Sequence, residues 1–117
     1  MERISAADLR ARHGGLLHED LRLSCGTGWR GIVDDALDAL TGMDVVVTTI
    51  REKLGTLQLI VWPRGAWRDA DFQASRAVVT AARERGNVTC EVCGQPGRID
   101  ASAGTLICRC EAHREGF

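Results

Sequence analysis

Two pairs of metal-binding side chains lie near the C-terminal end of this chain, and they constrain its fold more than any other feature. Cys90 and Cys93 form a Cys-x-x-Cys pair followed at once by Gly94, and Cys110 and His113 form a Cys-x-x-His pair. Donors three residues apart on a tight turn can point inward together while backbone N–H groups turn toward the sulfurs. Two such pairs complete a closed Cys₃His set of the kind that holds one structural Zn²⁺. Cys108, two residues before Cys110, is an alternative third ligand. The repeated three-residue separation favours Cys110. Between the pairs, Arg98-Ile99-Asp100 and Thr105-Leu106-Ile107 read as short strands reversed at Ala103-Gly104. The segment therefore predicts a zinc ribbon or knuckle. Buried free thiols and a redox Cys-x-x-Cys are the rival readings. The redox one requires the pair at a helix N-terminus after a strand, a layout this sequence lacks.

A closed four-ligand site holds a fold together and offers no open position to a substrate. The remaining composition narrows the function little further. The chain has 117 residues, a size for one domain, and a formal net charge of −1. Residues 1–40 carry 5 Arg against 7 acids, residues 41–82 carry 5 basic against 4 acidic side chains, and residues 83–117 carry 5 of each. No segment has the basic excess that drives phosphate binding. No run approaches the roughly 18 apolar residues of a membrane span. The N-terminal Met-Glu-Arg-Ile-Ser lacks the basic and apolar regions of a secretory signal. With 5 cysteines, an odd number, the pattern favours thiolates on a metal in a reducing cytoplasm over a disulfide framework.

Along the chain, residues 5–13 suit a short helix with Ser5 as N-cap and Asp8 at the capping-box position. Residues 16–23 read as a helical turn or a packed loop around His18-Glu19-Asp20. Trp29, Ile32, Val33, Ala36, Leu37 and Leu40 recur at helical period and predict a helix over 28–40, capped by Thr27 and stopped at Thr41-Gly42. Asp34, Asp35 and Asp38 fall on its opposite, solvated face. Residues 44–62 predict a β-hairpin: Val45 to Ile50 is rich in β-branched residues, Leu57 to Trp62 answers it, and Glu52-Lys53-Leu54-Gly55 reverses the chain. A loop follows, interrupted by Pro63 and Gly65. A second long helix is expected over 69–85, with Asp69 as cap and Phe72, Val78, Val79 and Ala82 facing inward. Trp29 and Phe72 are expected in the core. The chain enters the cysteine region with no flexible linker, so residues 88–115 are expected as an integrated zinc-binding subdomain of a single α+β domain spanning 1–117. Its helices should pack on the β-hairpin.

The other candidate residues carry weaker signals. Cys25 stands beside a helix start, where a dipole can stabilise a thiolate. Its nearest bases in sequence are His13 and His18, and a small buried residue at a tight turn explains it more simply. Gly26-x-Gly28 lacks the remainder of any phosphate-binding fingerprint. Arg51, Glu52 and Lys53 form either a solvated charge cluster or an exposed recognition tip. Trp62 and Trp67 either cap the core or serve as binding anchors beside Arg64 and Arg68.

Three segments together resemble an uncharacterised family of small bacterial and phage-associated proteins. The shared pattern stands here as Cys25-Gly26-Thr27-Gly28-Trp29, then Arg51-Glu52-Lys53-Leu54-Gly55-Thr56-Leu57-Gln58. It continues as Cys90-Glu91-Val92-Cys93-Gly94, then Thr105-Leu106 through Cys110-Glu111-Ala112-His113. The family has an acid where Thr27 stands, an aromatic at Leu54, a basic residue at Gln58, and two fewer residues before its third ligand. That last difference bears on Cys108 against Cys110. The resemblance covers residues from about 22 to 113. It implies a zinc-binding α+β domain and no particular activity, and its association suggests phage–host or toxin–immunity conflict.

The function expected from these features is that of a non-enzymatic, cytoplasmic adaptor or inhibitor. It would bind another protein through Arg51, Lys53, Trp62, Arg64, Trp67 and Arg68. The main rival is a nucleic-acid-binding zinc ribbon, with Arg83, Arg85, Arg98, Arg109 and Arg114 on phosphates and Trp62 or Trp67 stacked on bases. An enzyme using Cys25 with a histidine, or a zinc site opened by loss of a ligand, is a third reading.

Overall fold

In a computed structural model, which describes residues 1–101 and 103–114, the chain forms a mixed α/β fold around a three-stranded sheet. Helix α1 (Ala6–His13) starts where expected, with Ser5 Oγ accepting the Asp8 N–H at 3.4 Å. A single 3-10 turn, Gly14–Leu16, leads into strand β1 (Leu17–Ser24). This strand replaces the helical turn or loop expected over 16–23. Leu17 is buried and Leu21 and Leu23 are half-buried, while Glu19, Arg22 and Ser24 are exposed. That is an alternating pattern, short and broken by His18-Glu19-Asp20.

Helix α2 (Arg30–Leu40) follows a 3-10 turn at Thr27–Trp29, and it crosses from β1 to β2 (Val45–Lys53), which pair in parallel. Thr27 makes no capping bond; the helix begins one turn later, on Trp29. The apolar stripe is buried as its period requires, with Trp29, Val33, Leu37 and Leu40 fully enclosed. Strand β3 (Thr56–Pro63) returns antiparallel to β2, giving the order β1-β2-β3. The expected hairpin is thus two strands of a three-stranded sheet. Lys53 pairs with Thr56 across a two-residue turn in which Leu54 has φ 51° and Gly55 has φ 82°. Two positive φ values match the right-handed twist of the flanking strands.

Helix α3 (Asp69–Gly86) packs over β3 and alongside α2. Its buried positions are Ser75, Ala82 and Gly86. Phe72, expected in the core, is 37 % exposed. Val78 and Val79 pack half-buried against the core as expected. Gly86 lets the C-terminal end of the helix approach Leu57 closely, while the ring at the N-terminal end borders open space between helix and strand. Arg68, with no side-chain bond, precedes the helix in place of the expected Asp69 cap.

Asp34 also departs from the solvated face assigned to it. It is buried, and it accepts Arg30 Nε at 3.0 Å and lies 2.9 Å from the buried His13 Nε2. Helix α1 docks against this side of α2 and covers the carboxylate. Asp35 and Asp38 remain exposed and pair with Arg85 and Arg12, both at 2.8 Å. Beyond α3 the chain forms a small antiparallel hairpin, β4 (Arg98–Asp100) and β5 (Ile107–Arg109), and one short helix, α4 (Glu111–Arg114). The expected subdomain ends at Glu115, which lies outside the described residues. Among the described residues no helix is long and apolar enough to cross a membrane.

Candidate metal centre

The end of α3 delivers the chain into a tight turn. Cys90 N–H donates to the Gln95 carbonyl at 2.7 Å, and Gly94 N–H donates back to the Cys90 carbonyl at 2.9 Å. This turn presents Cys90 and Cys93 on one side. The second pair arrives on the last strand and helix: Cys110 follows β5, and His113 lies one turn into α4, its N–H on the Cys110 carbonyl at 3.1 Å. One donor atom from each of Cys90, Cys93, Cys110 and His113 lies within 4.8 Å of every other.

Individual separations resemble the edges of a coordination tetrahedron. Cys93 Sγ lies 3.7 Å from Cys110 Sγ, Cys90 Sγ 3.7 Å from His113 Nδ1, and Cys110 Sγ 3.1 Å from the same nitrogen. A tetrahedral ion with metal–sulfur bonds of about 2.3 Å and metal–nitrogen bonds of about 2.0 Å gives edges of roughly 3.5–3.8 Å. Burial would raise the Cys90 pKa, but the N–H groups of Cys110, Cys93 and Val92 and the Cys110 thiol outweigh it. They lower the value to about 6. A sulfur that receives several N–H groups is set up to be a thiolate, the form in which cysteine binds metal. The set therefore fits a metal ion. It would supply all four vertices and act as a crosslink between the end of α3 and the end of the chain.

Cys108 takes no part in this cluster. Its thiol is fully buried and lies 3.1 Å from the Gly86 carbonyl and 3.2 Å from that of Thr89. Burial raises its pKa to about 11, and the Thr89 hydrogen bond only partly offsets that. The side-chain alternation of β5 points Cys108 back under α3, while Cys110, past the strand end, is free to turn to the opposite pair. Cys25 is likewise enclosed. Burial and then the Glu91 charge push its pKa up to about 12, and no thiolate is set up there.

The turn around Cys25 has another task. The Cys90 carbonyl lies 2.3 Å from where a side-chain carbon on Gly28 would sit, and the Glu91 carbonyl 2.4 Å from the same point on Gly26. Gly28 N–H donates to the Glu91 carbonyl at 2.8 Å, and Gly26 N–H to the Glu91 carboxylate at 2.9 Å. Trp29 Nε1 donates to Thr89 at 2.8 Å. The Gly26-x-Gly28-Trp29 segment is a socket for the Cys90 turn, too tight for any side chain. Glu91, buried at the interface, was not singled out from sequence. Its signals were its place between two metal-spaced cysteines and its presence in the Cys90-Glu91-Val92-Cys93-Gly94 pattern of the family resemblance. Burial raises its pKa, against the Gly26 hydrogen bond. On the far side of the cluster, Arg114 is buried and pairs with Asp100 at 3.3 Å and Glu111 at 3.5 Å, tying α4 to β4.

The residues expected to bind a partner do not form one surface. Arg51 and Lys53 lie toward the hairpin turn, where Arg51 Nε donates to Gln58 Oε1 at 2.6 Å. Trp62 pairs with Val46 at the other end, roughly 20 Å away along the strand. The turn itself abuts the small C-terminal hairpin, since a side-chain carbon on Gly55 would lie 3.0 Å from Ile99 Cγ2. Arg64 is occupied internally, donating to the Val45 carbonyl at 3.1 Å and to the Gly15 carbonyl. Trp62 is 56 % exposed, and Trp67 meets Phe72 edge-on with ring centroids 5.4 Å apart. Arg68 is exposed at the start of α3. No family model matches the chain, nor does any curated protein or solved structure.

Proposed function

We propose that this chain is a non-catalytic zinc-binding protein of the cytoplasm that acts as an adaptor or inhibitor by binding another protein. Its C-terminal segment would be a zinc ribbon or knuckle integrated with the helix–sheet core. The observation that carries this reading is the closed Cys90, Cys93, Cys110 and His113 cluster. Three sulfurs and one imidazole suit zinc among the common metals, and four protein donors leave no vertex for water or substrate. The zinc then serves as structure, and function must lie on the surface. The exposed Trp62, the adjoining Trp67 and Phe72 and the neighbouring arginines are the residue types that most often anchor protein interfaces. A role in phage–host or toxin–immunity conflict follows from the family resemblance.

Nucleic-acid binding is the second reading, supported by Arg83 standing in the same groove as Trp62 and Trp67. Against it, Arg85 pairs with Asp35, Arg98 with Asp100, and Arg114 with Asp100 and Glu111. Arg109 donates to the His113 carbonyl at 3.4 Å. Most of the arginines that would meet phosphates are engaged within the protein. Affinity purification of the tagged chain from its native cell, with salt-dependent gel shifts in parallel, tests the choice. A stoichiometric protein partner supports the adaptor reading. Tight, salt-sensitive DNA or RNA binding without one would replace it.

A further inference from the structure

An open groove of about 390 Å³ runs between β3 and α3. One wall is four consecutive residues of β3, Leu59, Ile60, Val61 and Trp62. Side chains of a strand alternate between faces, so a hollow touched by four in a row lies along the strand's edge. The other wall is Phe72, Ser75, Arg76, Val79, Thr80 and Arg83, whose spacing of three and four places them on one face of α3. Trp67 against Phe72 bounds one end. Near the other, α3 closes on the strand, where a side-chain carbon on Gly86 would lie 3.0 Å from Leu57 Cβ.

Strand β3 is one of the two edge strands of the sheet, and among the described residues no strand pairs with its outer edge. Antiparallel pairs alternate between those that exchange both hydrogen bonds and those that exchange none. Counting from the Lys53–Thr56 pair that closes the turn, Leu57 and Leu59 direct their main-chain groups outward. The Arg64 N–H bonds the Asp44 carbonyl at 3.0 Å, beyond the irregularity at Thr48, and the same alternation there turns Val61 outward.

The groove is apolar and cationic. Arg76 lies over the Phe72 ring at 5.8 Å, and Arg83 stands two helical turns further on. Among the described residues no carboxylate pairs with either arginine, and no Asp or Glu lines the hollow.

We propose that an extended, acidic segment of another protein binds here, adding to the edge of β3 as a fourth strand. This rests on the protein-binding reading above and names the site and the chemistry of its partner. Leu59 and Val61 would supply the main-chain ladder, since Leu57 lies beneath the closed end of the groove at Gly86. Alternate side chains of the segment would enter between Trp62 and Phe72, and its carboxylates would meet Arg76 and Arg83. A nucleic acid could stack on the tryptophans but has no use for a strand edge. A second copy of this chain would bring the same arginines to an already cationic groove.

The full chain, purified with its metal, is panned against a displayed random decapeptide library, and enriched peptides are resynthesised for calorimetry. The expected peptides alternate apolar residues with Asp or Glu. Arg76→Glu with Arg83→Glu, two exposed positions, weakens them at least tenfold while metal content and melting temperature stay unchanged. Methylating alternate peptide amide nitrogens abolishes binding in one phase and leaves it within about twofold in the other, because only one set of N–H groups faces β3.

Peptides indifferent to the arginine variants, or equally tolerant of methylation in both phases, overturn the proposal, as does a library that yields no enrichment. Peptides lost on Arg51→Glu with Lys53→Glu, but not on the groove variants, place the interface at the hairpin turn and leave the adaptor reading standing. Binding of a 15-nucleotide oligo-dT that depends on Arg76 and Arg83, with no peptide enriched, overturns both readings. A concentration-dependent dimer abolished by Trp62→Asp would make the occupant a second copy of the chain and sink the proposal.

Discussion

The indole N–H of Trp29 donates to the carbonyl of Thr89 at 2.8 Å, joining the first turn before α2 to the residue that precedes the metal cluster. The ring is fully buried, so this bond links the hydrophobic core to the C-terminal segment through one side chain. Gly26 and Gly28 extend the link by admitting the Cys90–Glu91 backbone at distances that leave no room for a side chain. The core thus presents a preformed seat for the Cys90–Cys93 half of the donor cluster, and a bound metal would crosslink it to the Cys110–His113 half.

Substitutions at this seat should separate its two contributions. Trp29→Ala is expected to cost roughly 3–5 kcal/mol of stability, the usual figure for truncating a buried aromatic. Trp29→Phe keeps most of the apolar contact and loses the hydrogen bond, so its cost should be nearer 1–2 kcal/mol. Gly28→Ala places a carbon against the Cys90 carbonyl and should weaken zinc binding at least tenfold, with the helical signal retained. Thermal melts and competition with a chromophoric chelator read these effects. An unchanged melting temperature in Trp29→Ala would mean that the seat is not built as described.

The five cysteines should sort by their surroundings. Cys110→Ser is expected to abolish stoichiometric zinc, whereas Cys108→Ala should keep one zinc per chain. The second variant loses a buried thiol beneath α3 and should cost about 1–3 kcal/mol instead. Chelation of the wild-type protein should melt the C-terminal segment and leave the helix–sheet core folded, because metal binding and folding of such sites are coupled. Elemental analysis and hydrogen exchange check both. Retention of zinc by Cys110→Ser with its loss in Cys108→Ala would reverse the assignment.

Much of this arrangement could be read from the sequence where the signal was local. The stripe from Trp29 to Leu40 and the Val45 to Trp62 hairpin carry their own periods, and the metal donors carry their own spacing. What escaped depended on tertiary placement. Strand β1 has only a brief Leu21-x-Leu23 alternation and owes its conformation to a parallel neighbour more than twenty residues away. Asp34 is buried because α1 docks over it, which no property of α2 announces. Phe72 looked like core because it is large. Yet α3 closes tightly on β3 only at Gly86, Val78 and Val79 pack half-buried against the core, and Phe72 is left lining an open groove toward the other end. The glycines of Cys25-Gly26-Thr27-Gly28-Trp29 were visible as a motif, but their purpose became visible only once the Cys90 turn was seen against them.

Asp34 gives the fold an acid-sensitive component. Burial would raise its pKa, but hydrogen bonds from His13 and Arg30, with the charges of Arg30 and Arg12, outweigh that and hold it below the usual carboxylate value. Because the folded pKa is the lower one, the ionised carboxylate contributes stability that is fully present above the unfolded value of about 3.9. That contribution is lost as pH falls through the folded value. Asp34→Asn should therefore destabilise by about 1–3 kcal/mol near neutral pH, and the gap to wild type should close as the pH drops below about 4. Denaturant titrations of both proteins, taken at a series of pH values, measure the gap directly. A difference that stays constant down to the lowest pH would exclude this linkage. Subtracting the variant from wild type cancels any acid-sensitive contribution common to both, including that of a metal held by the cysteine cluster.

Leu54 offers a gain instead of a loss. It holds φ 51° at the first position of the β2–β3 turn while 60 % exposed, so it bears the steric cost of the left-handed region with little burial in return. That cost is roughly 1–2 kcal/mol for an ordinary residue and less for Asn, whose short side chain tolerates the conformation. Leu54→Asn creates the Asn-Gly pair that two-residue hairpins prefer, and it should stabilise the protein by about 0.5–1 kcal/mol. Scaled to a domain of this size, the melting temperature should rise by roughly 2–6 °C. The neighbouring Gly55 provides the control. Gly55→Ala combines positive φ with a carbon 3.0 Å from Ile99, so it should lower the melting temperature and loosen the C-terminal hairpin. Should Leu54→Asn melt lower than wild type, the exposed leucine would have to contribute a contact that outweighs its strained backbone.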